Sequence, residues 1–302
     1  MVSRFFLILT SFVYLSQLAN ASISLSFYNY MKKTRGYDFA ESVARYDFGL
    51  FGSFGGGNHV GGTKTKNIPV IFVHGLWGTS AAYEPAKAMW VLAGYGPEEL
   101  YGSSYGIPMV PFASVGSYQT SVACQYAKNI RNLIIGVSEY TNNSVNVIGY
   151  SMGGPVSRKA ILGGKCVDTG EDLGPPLTHL VDTYLGVAGA NKGAMLCIPP
   201  LWVCSFVNGM VCGSKFMNDI NKVKRYEAHR KIYVMQTVSD EIVGYLALGC
   251  SGHPAEIDGA DKTVTLIGFL HLGIIGLTGP LQYSLVSRDE VVVPKNQKYQ
   301  IS

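Results

Sequence analysis

Charge is scarce in this sequence. Asp, Glu, Lys and Arg make up 15% of its 302 residues, against 47% of hydrophobic types. A chain with that much apolar surface to bury folds rather than staying disordered. The charge is not lopsided either. The net is +4, with no basic stripe and no interleaved aromatics, which excludes a nucleic-acid partner. No C-x-x-C occurs and no histidine lies at ligand spacing from a cysteine pair, so no zinc site is expected. The glycine-rich run 49–62 lacks the Gly-Lys-Ser/Thr of a phosphate loop and follows no strand, which excludes nucleotide binding and leaves a flexible connector. No cofactor is expected. No internal repeat is visible, and no apolar run reaches membrane-spanning length unbroken. Phe5 to Leu15 is interrupted by Thr10 and Ser11, and the run ending at Leu277 contains His271 and several glycines.

What is present begins with an export signal. Arg4 is the positive n-region, Phe5 to Leu15 the apolar h-region, and Ala19-Asn20-Ala21 an A-x-A cleavage site. Residues 1–21 are therefore expected to be removed and the protein secreted, without a transmembrane anchor. Export gives meaning to Cys124, Cys166, Cys197, Cys204, Cys212 and Cys250. An even number in an oxidising compartment points to three disulfides, whose pairing the sequence leaves open. Asn142-Asn143-Ser144 is a glycosylation sequon at Asn142.

Residues 22–66, rich in Tyr and Gly, are expected to be an extension packed on a main domain of residues 67–302. That domain alternates strand and helix patterns. Short apolar runs at 68–73, 145–148, 179–187, 231–238 and 263–267 read as buried strands, and Val110 to Phe112 as a shorter one. Ala81 to Ala93, capped at Thr79 or Ser80, and Ser117 to Tyr140 read as helices. The pattern predicts an α/β fold, a mostly parallel sheet with helices on both faces. Residues 189–213 break the rhythm with three cysteines and many apolar groups. They read equally as a disulfide-tied surface loop and as the wall of an acyl-chain pocket.

The chemistry centres on Gly149-Tyr150-Ser151-Met152-Gly153. After an apolar strand and before a helical pattern, G-x-S-x-G is a nucleophile elbow, the strained turn that lifts a serine clear of a sheet. The Met152 N–H, at the start of the helix, is then free for a developing oxyanion. A second donor comes from the loop after the first strand, His74-Gly75-Leu76-Trp77-Gly78, with Leu76 ahead of Trp77. His74 precedes the serine in the chain and is read as shaping the loop. A serine hydroxyl needs a base and an orienting carboxylate, in the order Ser, Asp/Glu, His in an α/β-hydrolase. That order leaves His253 and His271, and His253 follows Asp240 too closely for a helix and a strand to intervene. Asp240 and His271 each follow a predicted strand and complete the set with Ser151. Glu241 is the reserve carboxylate, while Asp182, Asp258 and Asp261 sit inside or before strands.

These motifs carry a resemblance. Val70-Ile71-Phe72-Val73-His74-Gly75, Val145 to Gly153, Gly186-Val187-Ala188-Gly189-Ala190-Asn191 and Ser239-Asp240-Glu241-Ile242-Val243 are similar to the class 2 lipases, an α/β-hydrolase family. Residues 158–170 and 46–57 look like the secreted roundworm branch. The resemblance covers nearly all of the mature chain. It implies a carboxylic-ester hydrolase acting on acylglycerols, without metal, with Ser151, Asp240 and His271 as triad; a monomer whose partners are a lipid or ester substrate and its lipid–water interface is expected, while activation by that interface is not readable from the sequence. The motif around His271 is more apolar than in the roundworm branch, and its His-x-Gly resembles the bacterial lipases. Two other readings keep the same residues: transfer of the acyl group to an alcohol or sterol, and a catalytically silent lipid-binding scaffold.

Overall fold

The central strands carry apolar residues on both faces because both faces of the sheet are covered. In β1 (Val70–Val73), Ile71 and Val73 enter one core while Val70 and Phe72 enter another. The computed structural model describes residues 22–108, 117–118, 121–197, 204–246, 249–293, 295 and 297–302. Among the described residues, the helices α1 (Leu25–Arg35) and α2 (Tyr37–Ala44) precede β1. After it come α3 (Glu84–Leu92), β2 (Leu100–Ser103), a hairpin of β3 (Ile107–Pro108) and β4 (Ser117–Tyr118), and α4 (Cys124–Thr141). The centre is β5 (Val145–Tyr150), α5 (Gly153–Leu162) and β6 (Val181–Val187). Then follow α6 (Lys215–Asn221), β7 (Lys231–Thr237) and β8 (Lys262–Leu266), and finally α7 (His271–Leu277), α8 (Gly279–Arg288) and β9 (Tyr299–Ile301).

The seven-stranded sheet has the order β2-β1-β5-β6-β7-β8-β9, parallel except for β9. This is the α/β-hydrolase arrangement expected from the sequence. One core holds α1, α2, α4 and α5 against the sheet, with Phe27, Met31, Val43, Leu133 and Val156 buried. The opposite core is built by α3, α7 and α8 through Trp90, Ile274 and Leu285. From β1 the chain steps to β2 on one side and then to β5 on the other. The carboxyl ends of β1 and β5 therefore flank the point where strand order reverses, and such a point leaves a crevice.

Several expectations are corrected. The helix expected over 117–140 starts at Cys124, whose N–H is taken by the Asp168 carboxylate at 3.0 Å, while Ser117–Tyr118 pairs with the strand Ile107–Pro108. The helix expected over 81–93 opens as a 3-10 turn at Ser80–Tyr83. Neither Thr79 nor Ser80 caps it by its side chain, and the Ser80 hydroxyl donates to the Gly52 carbonyl instead. The glycine-rich run is not a loose connector. Phe54 bridges to Gly102 of β2 and Gly55 to Ile23. A Cβ on Gly55 would fall 2.4 Å from the Tyr101 ring, so only glycine fits. The strand expected at Val110–Phe112 and the export signal of residues 1–21 lie outside the described residues.

The six cysteines pair as Cys124–Cys166, Cys197–Cys204 and Cys212–Cys250. Among the described residues no helix is long and apolar enough to cross a membrane.

Candidate active site

Ser151 follows β5 with φ of 53°, the left-handed backbone region that costs a side chain strain. Two small neighbours make the turn possible. A Cβ on Gly149 would lie 2.7 Å from the Ser157 hydroxyl, and one on Gly153 only 2.3 Å from the Val73 carbonyl. The strain is held by the segment after β6. The Ser151 N–H donates to Val187 O at 3.0 Å, and the Ala190 N–H donates to Ser151 O at 3.2 Å. Asn191 secures that segment by donating to Ala255 O at 2.8 Å. Beneath it the buried Arg158 guanidinium donates to Asn191 O and to the carboxylate of buried Glu227. The Gly186–Asn191 motif thus acts as a clasp on the Ser151 backbone.

Three side chains that are far apart in sequence meet here. His271 Nε2 is 2.9 Å from Ser151 Oγ, and His271 Nδ1 is 2.9 Å from Asp240 Oδ2. All three are buried. Asp240 Oδ2 can only accept, so Nδ1 carries the proton and Nε2 faces the serine as a base. Asp240 Oδ1 accepts the N–H groups of Ile242, Val243 and Gly244 at 3.0, 2.8 and 3.3 Å. Burial disfavours its ionisation, but the hydrogen bond and charge of His271 and these amides outweigh burial. The carboxyl is held below the usual carboxylate range.

The His271 backbone has its own supports, which the sequence did not reveal. Glu241, the reserve carboxylate, is not beside the imidazole Nδ1 but accepts the His271 N–H at 2.8 Å. The Tyr150 hydroxyl donates to His271 O at 3.0 Å, and Thr237 Oγ1 donates to Phe269 O at 2.9 Å. Burial and the nearby Asp240 and Glu241 charges push the Tyr150 hydroxyl up, so it stays protonated and able to donate. Side chains bonded to backbone atoms leave no residue spacing to read. The one available signal was the aromatic hydroxyl directly before the serine.

The oxyanion candidates flank Ser151. Met152 is buried at the N-cap of α5, where its N–H makes no helix bond. On the other side, a Cβ on Gly75 would come within 2.9 Å of Ser151 Cβ, which brings the Gly75–Leu76 peptide alongside Ser151. Trp77 is 61% exposed with φ of 57°. His74 is fully buried and is not part of the serine–histidine–carboxylate chain.

The remaining candidates are engaged elsewhere. His229 lies 3.8 Å from Asp182, which also pairs with Arg230. His253 bonds the Tyr245 carbonyl and stacks on its ring, and His59 bonds the Thr63 carbonyl. Exposed His179 precedes β6, at the amino edge. Asp258 pairs with Lys192 and Asp261 with Arg225. Asn142 is exposed at the left-handed C-cap of α4. The 189–213 segment pairs with the Asp240 loop, the Met195 N–H donating to Val243 O at 2.7 Å. Its residues 198–203, including Trp202, lie outside the described residues.

Solved structures similar to this chain include lipase BlEst2 of Bacillus licheniformis in its mature form. It is 16% identical, over 78% of this chain and 98% of that one, with a TM-score of 0.51. Lipase B of Aspergillus fumigatus is 17% identical, over 83% of this chain and 59% of its own, with a TM-score of 0.55. At such identities the likeness speaks for the fold. No curated protein matches the sequence. Residues 67–284 match the family model described as Lipase (class 2). The chain belongs to the class 2 lipase family and is a lipolytic hydrolase with the α/β-hydrolase fold.

Proposed function

We propose that this protein is a secreted serine hydrolase that cleaves the carboxylic esters of acylglycerols through an acyl-enzyme on Ser151. One observation carries the reading: the unbroken chain of hydrogen bonds from Ser151 Oγ through His271 to Asp240, each of 2.9 Å. Ser151 Oγ attacks the ester carbonyl carbon while His271 Nε2 takes its proton. Asp240 stabilises the imidazolium that results. The tetrahedral oxyanion lies between the Met152 and Leu76 N–H groups. His271 returns the proton to the leaving alcohol as the C–O bond breaks. Water, deprotonated by the same imidazole, then attacks the acyl carbon, releases the fatty acid and restores the serine.

Acylglycerol substrates are supported by the apolar character of the loops at the carboxyl edge. Trp77 follows β1, Leu270 and Leu272 flank His271, and Leu196 and Leu246 lie on the two paired loops beside Asp240. All five are between 49% and 74% exposed, apolar surface suited to a lipid and poorly matched to water. Secretion is supported by the leader of residues 1–21 and by three disulfides, and glycosylation by the exposed Asn142. Residues 46–57 and 158–170 support the roundworm branch. We take residues 22–66 as an extension and 67–302 as the catalytic domain.

The test is hydrolysis of an ester series from short to long acyl chains, with the purified mature protein and its Ser151→Ala variant. Wild-type turnover of long-chain acylglycerols, absent in the variant, is the expected result. Substantial turnover by the variant would overturn the serine mechanism. A product that is mainly a new ester when an alcohol is added would favour acyl transfer, and no turnover of any ester by the wild type would favour a silent scaffold.

A further inference from the structure

Directly after β1 stands a buried titratable side chain for which the proposed reaction has no use. His74 stacks on Tyr105, ring centroids 4.1 Å apart and planes within 6°. Its Nε2 is 3.1 Å from the Tyr105 backbone nitrogen. A backbone N–H can only donate, so Nε2 accepts and the proton sits on Nδ1. Nδ1–H donates to the Gly75 carbonyl at 2.7 Å. The same oxygen accepts the Gly78 N–H at 3.2 Å, which closes a turn over 75–78. Both lone pairs of Gly75 O are thereby engaged.

The Gly75 carbonyl and the Leu76 N–H are the two ends of one planar peptide. In the trans form they point in opposite directions. Fixing the carbonyl therefore aims the amide, and this peptide lies beside Ser151, as the 2.9 Å approach of a Gly75 Cβ shows. We propose that His74 is the positioning residue of the oxyanion hole, holding the Gly75–Leu76 peptide so that the Leu76 N–H faces the oxyanion formed at Ser151. The inference rests on the acyl-enzyme reading above.

Two features show why a tether is needed. Trp77 occupies the third position of the turn with φ of 57°, a conformation that glycine adopts freely and tryptophan only under constraint. The histidine itself is locked from both sides. Tyr105 donates its hydroxyl to His74 O at 2.6 Å, and a Cβ on Gly153 would lie 2.4 Å from that same oxygen. The His74 backbone is therefore fixed, the stacked Tyr105 ring and the Tyr105 N–H hold the imidazole, and the loop is registered against the helix that follows Ser151.

The test compares His74→Phe, which keeps an aromatic ring on Tyr105 without either nitrogen, with His74→Asn. The Asn Nδ2 stands at the same bonded position as Nδ1 and restores the donor. Each folded variant is assayed on a soluble short-chain ester and against an alkyl boronic acid, whose adduct on Ser151 is a tetrahedral anion. Loss of an oriented oxyanion donor lowers kcat roughly 10²-fold in His74→Phe while KM stays within about twofold. Boronate affinity falls in parallel, and His74→Asn recovers about tenfold or more of the lost kcat. Wild-type kcat in His74→Phe, or equal loss in Phe and Asn, overturns the role of His74. If His74→Phe fails to fold, His74→Gln replaces it, since its amide lies one bond further out. Asn exceeding Gln supports the tether, and equality overturns it. Wild-type protein that takes up no fluorophosphonate overturns the acyl-enzyme reading itself. Labelling at Ser151 together with a fully active His74→Phe overturns only the inference.

Discussion

At the scale of single residues, function depends on protons held at stated atoms. Asp240→Asn keeps the volume of the carboxylate but places an N–H near His271 Nδ1, favouring the wrong tautomer. kcat is expected to fall by roughly 10³–10⁴ with the fold intact, checked by kinetics and circular dichroism. His74 makes a second prediction, in stability. Burial, reinforced by the Arg45 charge and only partly opposed by the bond to Gly75, lowers it to about 4 from an ordinary 6.5. The native state refuses a proton that the unfolded chain accepts. Stability is therefore complete above about 6.5 and lost as pH falls towards about 4, by about 3 kcal/mol at most. Denaturant melts of His74→Phe across that range should show a flatter acid limb than wild type, and an unchanged slope would contradict the account. That Ser151, Asp240 and His271 come together was legible in the sequence because residue order and strand ends agreed for all three. Glu241 and Tyr150 were not, since they bind backbone atoms of a residue more than a hundred positions away in one case and thirty in the other.

At the scale of elements, legibility followed the run of apolar residues. β5 and β7 are apolar on both faces and stood out, whereas β2, reading Leu-Tyr-Gly-Ser, and β9, exposed on an edge, have too little pattern. Helix α1 escaped because its buried side is only Phe27 and Met31 among tyrosines and lysines. Those two side chains nonetheless enter the same core as β1, through Tyr101 of the neighbouring strand, whose ring meets Phe27 at 5.3 Å. Phe27→Ala should cost about 3–5 kcal/mol in chemical denaturation. The pairing of the cysteines is also an element-scale fact. Cys212–Cys250 ties the 189–213 segment to the loop that follows Asp240, where Met195 bonds Val243. Replacing both cysteines by serine should lower stability by about 2–4 kcal/mol and reduce kcat as the amides around Asp240 loosen. Unchanged kcat in a destabilised variant would separate the disulfide from catalysis.

At the scale of the whole molecule, the sheet order brings the loop after β1 beside the turn after β5, and the clasp after β6 and His271 bond Ser151 from other sides. Ser151, Asp240 and His271 lie at the carboxyl edge together with the exposed apolar residues of its loops. Replacement of both Leu270 and Leu272 by serine should weaken adsorption to emulsified triacylglycerol while leaving hydrolysis of a soluble ester within about threefold, because the two exposed side chains point apolar surface outward rather than towards the Asp240 and Ser151 side chains that His271 bonds. The most direct measurement is intact mass and peptide mapping of the protein after treatment with a fluorophosphonate. One adduct on Ser151 in the wild type, and none in Ser151→Ala or in unfolded protein, is the predicted result. An unmodified wild type, or an adduct on another residue, would contradict the claim that His271 and Asp240 make this serine a nucleophile.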